Sequence, residues 1–408
     1  MKSVCLIVQN FYEFDPRVRR KAEALAAAGW DVDVLALRSG DGAESYELNG
    51  VHVDTMTLGK QRGSLVRYAY EYGAFLFWAF YRVHAQMRRK RYAVIDVNTL
   101  PDFLIFAPLF ARRMGAKLVL DMHEITPEFY RSKYGMDEHS WIVRLLAAME
   151  KVSFDFADHV LTINQPILDL LVARGLSPEK ATIIMNSADG ARFASGATVA
   201  RPAGGSSFAM IYHGTLTRIY GLDRAIEAFA LAQQDMPGAE LWILGSGTER
   251  DALGELAKAR GVEGSVKLVG QVPGSEIPGW LARADVGVLP IRRDPLLDYA
   301  FPNKLPEYIV SGKAVIISRL GAIEHYFSDR AVAYASPTDV ADLAAQMVRL
   351  YRDPALRASL VKRAAEEYAP ITWDVMKARY LDLMDSLSGV RQVRSVQRAS
   401  AGSRVTAG

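Results

Sequence analysis

Cysteine is almost absent from this 408-residue sequence, which contains only Cys5. One cysteine can form neither an internal disulfide nor a zinc site built on cysteine ligands. Cys5 lies in the apolar run VCLIV, which predicts a buried small side chain in a strand rather than a reactive thiol. The same run is too short for a signal peptide, so we expect a protein of the reducing cytoplasm.

Long hydrophobic runs and a strong net charge are also lacking. The most apolar stretch, residues 72–83 (YGAFLFWAFYRV), is shorter than the roughly 20 residues that a membrane span requires. A net charge of +3 and a pI of about 8.7 are too mild to indicate nucleic acid as the main partner. The seven histidines show no metal-ligand spacing, so we predict no metal site.

Several short catalytic motifs are missing. The sequence has no GxxxxGK[ST] loop, GxSxG elbow or HExxH, so phosphate-chain hydrolysis, a serine hydrolase and a zinc protease lack support. The first strand-to-helix turn, residues 9–21 (QNFYEFDPRVRRK), has no glycine, which disfavours a GxGxxG site for NAD. Asp15 and Pro16 in this turn predict the start of a helix.

Four cations, Arg17, Arg19, Arg20 and Lys21, follow that helix start. Cations in the first turn oppose the helix dipole. We therefore expect some of them to face an anionic ligand or an acidic partner, and at least two of the four to lie on a solvated basic face.

What the sequence does contain is a repeated alternation of β-branched runs and amphipathic helical stretches. Most of the β-branched runs are continuously apolar, as in parallel strands covered on both faces. The alternation stops in the Gly-, Ala- and Ser-rich residues 190–207 and then restarts, which predicts two doubly wound α/β domains. We expect domains at 1–190 and 208–370, a linker at 191–207, a last helix at about 371–388 and a disordered tail at 389–408.

Ligands of such sheets bind beyond the carboxyl ends of the strands, so the residues there are candidates for a site. After the first strand of the second half stand Gly214 and Thr215, with Arg218 as the only cation of the turn. This setting suits a phosphate, but a plain turn with a surface arginine fits equally well. Gly245 and Gly247 stand in the next turn, where glycine serves packing more often than phosphate binding.

Two further strand ends carry candidate residues. Val272 belongs to the loop GQVP, where a flat base could lie against the backbone. The stretch FPNKLPEYIV at 301–310 opens a helix, which Asn303 could cap, or holds a ligand. In the first half, His123 and Glu124 follow the strand LVLDM, and His123 is either functional or a satisfied structural histidine.

Taken in order, these motifs resemble a known family. The series YHGTLTRIYGLDRAIEAF, AELWILGSGTERDAL and FPNKLPEYIVSGKAVIIS resembles the donor-binding half of retaining glycosyltransferases of family 4, which have the GT-B fold. In the first half, DPRVRRKAEAL and LVLDMHE agree, and the resemblance covers residues 1 to about 388. It implies two facing Rossmann-like domains with a central cleft, and a last helix that crosses back onto the first domain.

The resemblance also implies substrates. A UDP- or GDP-linked sugar would be bound mainly by the second domain and a glycan or lipid-linked acceptor mainly by the first, with no metal or other cofactor. Lys304 and Arg218 would stabilise the leaving diphosphate, Glu307 would accept hydrogen bonds from the ribose, and His123 would contact the donor sugar near the reacting carbon. The other residues implied in donor binding are Gly214, Thr215, Gly245, Gly247, Val272, Phe301, Pro302 and Asn303.

The sequence departs from the family at Tyr299, where a first glutamate often precedes the one at Glu307, and at Thr215 and Tyr220, which replace a usual Arg and Lys. Two alternatives therefore stay open: a sugar-nucleotide epimerase of the same fold, and a catalytically degenerate partner protein that only binds a nucleotide sugar. The aromatic and basic residues 65–91 predict either a core-facing helix or peripheral contact with the inner face of a membrane.

Overall fold

The computed structural model describes residues 2–59, 65–194 and 208–389. In the first domain, one sheet has the strand order β3-β4-β2-β1-β5-β6-β7-β8, and all pairs are parallel except the edge pair β3 and β4. Its strands are β1 Ser3–Phe11, β2 Asp31–Leu37, β3 Ser45–Leu48, β4 Val51–Met56, β5 Val94–Asn98, β6 Lys117–Met122, β7 His159–Thr162 and β8 Ala181–Ile183.

Helices cover both faces of this sheet, because successive residues of each buried strand point to opposite sides. The helices are α1 Pro16–Ala27, α2 Leu65–Met87, α3 Thr126–Tyr134, α4 Trp141–Phe156 and α5 Gln165–Ala173. On β1, Leu6 packs in the apolar cluster that includes α1, while Cys5 and Ile7 pack in the cluster that includes α2 and α4. The buried, unreactive position predicted for Cys5 is thus confirmed.

The predicted start of α1 is also confirmed. The Asp15 side chain accepts hydrogen bonds from the amides of Arg17 and Val18, and Pro16 is the first helical residue. Some of the cations that follow meet acidic partners inside the domain, as expected, since Lys21 is buried against Asp96.

The second domain has a parallel sheet in the order β11-β10-β9-β12-β13-β14. Its strands are β9 Phe208–His213, β10 Ala239–Leu244, β11 Val266–Gly270, β12 Val286–Leu289, β13 Ala314–Ser318 and β14 Ala333–Ala335. The helices from residue 190 onward are α6 Gly190–Ala194, α7 Leu222–Ala232, α8 Arg250–Ala259, α9 Ile277–Arg283, α10 Lys304–Val310, α11 Gly321–Glu324, α12 Val340–Arg352, α13 Pro354–Tyr368 and α14 Trp373–Leu387.

The last of these helices, α14, packs against the first domain. The Tyr380 hydroxyl donates a hydrogen bond of 2.6 Å to Asp96, and Lys2 forms an ion pair of 2.7 Å with Asp385. The backbone amide of Met185 lies 3.3 Å from the sulfur of Met376. The last described helix therefore packs on the first domain, although it follows the second domain in sequence.

The predicted boundary between the domains falls partly on a helix. The predicted linker at 191–207 begins with helical residues of α6, because the buried ring of Phe193 anchors them in the core that includes the second domain. Residues 195–207 and the predicted tail from 390 onward lie outside the described residues. The edge strand β3 was missed although a signal is present, since SYEL alternates polar and apolar residues and the pair Asn49–Gly50, which has positive φ angles, turns the chain into β4.

A cluster of charged side chains ties the outer helices of the first domain together. Arg174 donates to Glu150 on α4 at 2.9 Å and to Glu128 on α3 at 2.6 Å. Burial raises the pKa of Glu150 to about 8, with the nearby Asp102 adding to the rise and Arg174 opposing it. Burial likewise raises the pKa of Asp102 to about 6. Both carboxyl groups therefore hold protons in the folded state under conditions that ionise them in the unfolded chain.

We expect Glu150 and Asp102 to contribute a fall in the free energy of unfolding as the pH rises from 5 to 8. Because each pKa is higher in the folded state, the folded protein binds a proton that the unfolded chain has already lost. This stabilises the folded state at low pH, and the stabilisation disappears as the proton leaves at higher pH. The loss is up to about 1.4 kcal/mol per pH unit for each group. The variant Glu150→Gln should show a shallower fall in melting temperature, whereas the exposed control Glu255→Gln should keep the wild-type slope. Equal slopes for Glu150→Gln and wild type would contradict this assignment.

Candidate functional site

The turns after β9, β10 and β11 surround a cavity of about 280 Å³ in the second domain. Its lining comes from three neighbouring strand ends and the start of α9: His213, Gly214, Thr215, Leu244, Gly245, Ser246, Gln271, Val272 and Ile277. Four of the residues predicted from sequence, Gly214, Thr215, Gly245 and Val272, are therefore brought together. Gly247 lies just outside this lining.

The glycines of this cavity allow two turns to lie directly against each other. The amide of Gly214 donates to Leu244 at 2.9 Å, and the amide of Leu216 donates to Ser246 at the same distance. Gly245 has φ +133°, and a β-carbon there would collide with the carbonyl oxygen of Gly214, as one at Gly247 would collide with Leu216. The close packing of the two turns explains why glycine occupies positions 245 and 247. The cavity is the space that remains beside the paired turns.

Lys304, the first residue of α10, reaches over Gly214. Its Nζ atom lies 4.2 Å from the ring centre of Tyr220 and 5.3 Å from that of Tyr212. A β-carbon at Gly214 would occupy the place of the lysine side chain. Burial lowers the pKa of Lys304 to about 8, and the nearby Glu307 opposes this shift. The lysine thus stays largely charged at pH 7 and is held by aromatic faces beside the cavity.

Glu307 lies on α10, with its carboxyl oxygen 3.3 Å from the Nε2 atom of His213. Burial lowers the pKa of His213 to about 3, and Lys304 and Arg192 lower it further. This pair is therefore not an ion pair at neutral pH. Burial raises the pKa of Glu307 to about 7, while the cations Arg192, Lys304 and Arg20 oppose the rise. The carboxyl group can accept hydrogen bonds from a ligand hydroxyl and is balanced by cations from both domains.

The remaining predicted residues of the second domain lie differently. Arg218 is exposed in the short 3-10 turn Arg218–Tyr220 and is not part of the cavity lining. The ring of Phe301 is buried against Tyr326 and Phe327, so it belongs to the core.

The two residues before Lys304 are more open to solvent. Pro302 is half-buried and Asn303 is exposed. The Asn303 side chain makes no capping hydrogen bond, so the expected helix cap is wrong: the residue already has helical φ and ψ angles, which leave its side chain in solvent.

In the first domain, His123 follows β6 and lines a cavity of about 120 Å³. Polar, charged and aromatic side chains line this cavity together with two apolar ones: Val8, Gln9, Asn10, Asp15, Arg17, Tyr68, Glu71, Tyr72, Thr99, Leu100, His123, Glu124 and Phe129. The Nε2 atom of His123 lies 3.1 Å from Asn98 Oδ1 and 3.3 Å from Asp121. Its Nδ1 atom has no hydrogen-bond partner among the described residues.

These contacts define the protonation state of His123. Burial holds its pKa well below the usual range, and the cations Arg17 and Lys21 lower it further. Because Asn98 Oδ1 already accepts a hydrogen bond from Lys21, the imidazole must donate to it through Nε2. The imidazole is therefore neutral, and its free Nδ1 can only accept a hydrogen bond, for example from a substrate hydroxyl.

Tyr299, the main departure from the family pattern, joins the two domains. Its side chain packs against the apolar core of the first domain, and its carbonyl accepts a hydrogen bond of 2.7 Å from Asn164. Tyr299 thus has a structural role that a charged glutamate would not fill in the same way.

Sequence reasoning missed His213 and Arg192, and it named Arg20 only as one of four cations after Asp15, without a link to Glu307. His213 was detectable from sequence, because it lies at the carboxyl end of a strand, as His123 does. Ligands of parallel sheets bind at such strand ends, so both histidines were candidates. Arg192 and Arg20 come from α6 and α1, and no local pattern connects them with residue 307.

Comparisons with known proteins agree with this architecture. Residues 15–187 match the family described as "Glycosyl transferase 4-like domain", and residues 207–353 match "Glycosyl transferases group 1". Among solved structures, sucrose-phosphate synthase from Thermosynechococcus elongatus superimposes with a TM-score of 0.78 at 20% identity, covering 95% of this chain and 100% of that one. Anabaena HepE in complex with UDP-glucose gives a TM-score of 0.67 at 16% identity, with 95% and 100% coverage. The chain therefore has the GT-B fold, built from two glycosyltransferase-type domains.

Curated relatives match over part of their length. The glycogen synthase of Mycobacterium tuberculosis is 30% identical over 217 residues, which are 53% of this chain and 48% of the relative. The phosphatidyl-myo-inositol mannosyltransferase of Mycolicibacterium smegmatis is 31% identical over 157 residues, 38% of each chain. The chain thus spans about half or less of the length of these relatives.

We expect Gly245→Ala to destabilise the protein by about 1–3 kcal/mol, because the new methyl group meets backbone and the positive φ strains any other residue. Gly254→Ala, inside helix α8, meets only a leucine methyl at an ordinary 3.5 Å and should be neutral or stabilising. Thermal unfolding of both variants beside wild type checks this. A Gly245→Ala protein as stable as Gly254→Ala would show that the two turns can separate without loss.

Proposed function

We propose that the protein transfers a sugar from a nucleoside diphosphate sugar to a glycan or lipid-linked acceptor, with retention of anomeric configuration. The observation that carries the proposal is the grouping of Lys304, Glu307 and His213 beside the cavity at the ends of β9–β11. A lysine held on aromatic rings next to a backbone-lined cavity suits a diphosphate joined to a flat base. The complex of HepE with UDP-glucose supports a nucleotide sugar as the donor.

In this proposal each residue acts at one point of the reaction. Negative charge develops on the leaving diphosphate, and Lys304 would stabilise it, with Arg218 as a second cation after a small rearrangement of its exposed side chain. Glu307 would accept hydrogen bonds from the ribose hydroxyls. His123 would accept a hydrogen bond from a sugar hydroxyl through Nδ1, so it would orient the donor sugar without carrying charge.

Retention and independence of metal ions are part of the same proposal. Both rest on the resemblance to family 4 and on cations that the chain itself supplies at the leaving group. Comparing the anomeric configuration of donor and product by NMR tests retention. If no metal ion is needed, turnover should stay unchanged in excess EDTA. Loss of turnover that Mg²⁺ or Mn²⁺ restores would overturn the proposed independence of metal ions.

We expect Lys304→Met to lower transfer by about 100- to 1000-fold, because it removes the main charge that stabilises the leaving group. The thermal stabilisation that UDP or GDP gives to the wild type should shrink in parallel. Lys313→Met is a matched control, since Lys313 lies just beyond the opposite end of α10 and bonds to the carbonyl of Ala282. Full transfer by Lys304→Met would refute the placement of the diphosphate.

The same assay separates the two alternative functions. An epimer formed from the donor alone, with no acceptor added, would identify an epimerase. Binding of the nucleotide sugar with neither transfer nor hydrolysis, for every acceptor offered, would identify a binding protein.

We also propose that the first domain contacts an anionic membrane peripherally. None of the helices in the described ranges is long and apolar enough to span a bilayer. On α2, Phe77 and Tyr81 are 73% and 71% exposed, while Phe75 on the opposite side is buried. Next to α2, the half-exposed ring of Phe110 packs at 5.8 Å on that of Phe80, and Arg113 lies over it. Exposed aromatic rings beside arginines suit a lipid headgroup layer.

The double variant Phe77→Ser/Tyr81→Ser should therefore bind less to vesicles that contain phosphatidylglycerol, as measured by co-sedimentation at low salt. Leu231→Ser, which removes a similarly exposed side chain from α7 of the second domain, should leave vesicle binding unchanged. Equal sedimentation of the double variant and the wild type would argue against this surface.

A further inference from the structure

A continuous chain of buried polar groups connects the last helix of the protein with His123. The hydroxyl of Tyr380 on α14 donates to Asp96 at 2.6 Å, and the Nζ atom of Lys21 donates to the same carboxylate at 2.9 Å. Lys21 also bonds to Asn98 Oδ1 at 2.8 Å and to Asp121. Asn98 and Asp121 are the two groups that contact Nε2 of His123.

The arrangement is set by the strands. Asp96 and Asn98 are two residues apart on β5 and so share a face, and Asn98 lies directly beside Asp121 on β6 in the parallel register. Lys21 enters from α1 and fills the space between them. The whole chain is buried: Tyr380, Asp96 and Asn98 have no exposed surface, and Lys21 and Asp121 are each 3% exposed.

A buried lysine with two aspartates is a costly way to fill a core, because apolar side chains of similar volume are often as stable or more stable. In this protein the buried lysine holds the groups that contact His123 in place. Lys21 bonds to both acceptors that face the imidazole, the oxygen of Asn98 and the carboxylate of Asp121. Held in this way, the two acceptors place the proton of His123 on Nε2 and leave Nδ1 open to the cavity. The positive charge of Lys21 also balances Asp121, which would otherwise favour a protonated imidazole.

We propose that Lys21 is a positioning residue that sets the tautomer and neutral state of His123, and that Tyr380 links this function to the docking of α14. The proposal rests on the role given to His123 in the proposed function. Helix α14 would then have two roles. It joins the two domains, and its Tyr380 completes the hydrogen bonding of Asp96 behind the site.

The charged groups near His123 come from several elements, and Glu71 on α2 and Glu124 after β6 line the same cavity. Arg17 and Asp15 at the start of α1 form a pair with each other. Lys21 further along α1, Asp96 on β5 and Asp121 on β6 form the second group. Removing Lys21 leaves two aspartates without a counter-ion, so the pKa of His123 should rise.

The test follows the imidazole of His123 by ¹⁵N NMR in the full-length protein, which needs no substrate. In the wild type we expect Nε2 protonated, Nδ1 free and a titration midpoint well below the usual range of histidine. In Lys21→Met the titration midpoint should rise by about 1 to 3 pH units. Lys90→Met is the matched control, because Lys90 also joins two aspartates of this domain, Asp31 at 2.6 Å and Asp33 at 2.7 Å, away from His123.

Tyr380→Phe supplies a second variant that keeps the buried lysine and decides the question if Lys21→Met fails to fold. It should move the titration of His123 in the same direction by a smaller amount, whereas Tyr334→Phe, which loses a comparable buried hydroxyl bond of 2.8 Å in the second domain, should not. An unchanged His123 titration in the folded variants of Lys21 and Tyr380 would overturn the proposal.

Kinetics then separate this proposal from the proposed function. Lys21→Met should lower kcat/KM for transfer by about 100-fold, as expected when a substrate is misplaced, with unchanged stabilisation by UDP or GDP. If the wild type transfers no sugar at all while the NMR shifts occur as expected, the proposed function fails and the positioning of His123 by Lys21 stands. If transfer is normal in Lys21→Met, the positioning role is refuted and the proposed function stands.

Discussion

The parallel direction of the strands is the constraint on which the candidate site depends. Parallel strands place all their carboxyl ends at one edge, so residues far apart in sequence arrive at the same place. His213, Gly245 and Val272 come together for this reason, as do Asn98, Asp121 and His123 in the other domain. The pairing of the strands alone brings these groups together, without further contacts between their side chains. The helices that return the chain then only need to leave this edge open.

Burial and charge give the two histidines at these edges the same character. Both are neutral because burial disfavours the charged imidazole and cations lie nearby. Neutral histidines suit a site whose ligand is rich in hydroxyl groups, since they can accept hydrogen bonds without binding a second anion. Lys304, by contrast, stays largely charged beside the second cavity. In the proposed function the lysine meets the anionic part of the ligand and the histidines meet its hydroxyl groups.

Most of the architecture follows from local sequence patterns. Continuous apolar runs identify the parallel strands, and the Asp15–Pro16 pair marks the start of α1 by a mechanism that acts within one turn. Strand β3 also has a local signal, since Tyr46 and Leu48 alternate with polar residues ahead of the turn Asn49–Gly50. Contacts between distant segments have no such signal: Phe193 of α6 packs into a core built mostly from later parts of the chain. Arg20 and Arg192 approach Glu307 only through tertiary structure, so a single sequence does not connect either of them with residue 307.

The close approach of Lys304 to Gly214 makes two positions, ninety residues apart, into one steric unit. The lysine side chain fills the volume that any side chain at 214 would need. Gly214 also has φ +130°, which strains any residue that carries a side chain. A shorter residue at 304 would therefore not by itself make a larger residue at 214 acceptable. The dependence runs in one direction: a chain that keeps the lysine at 304 must also keep the glycine at 214.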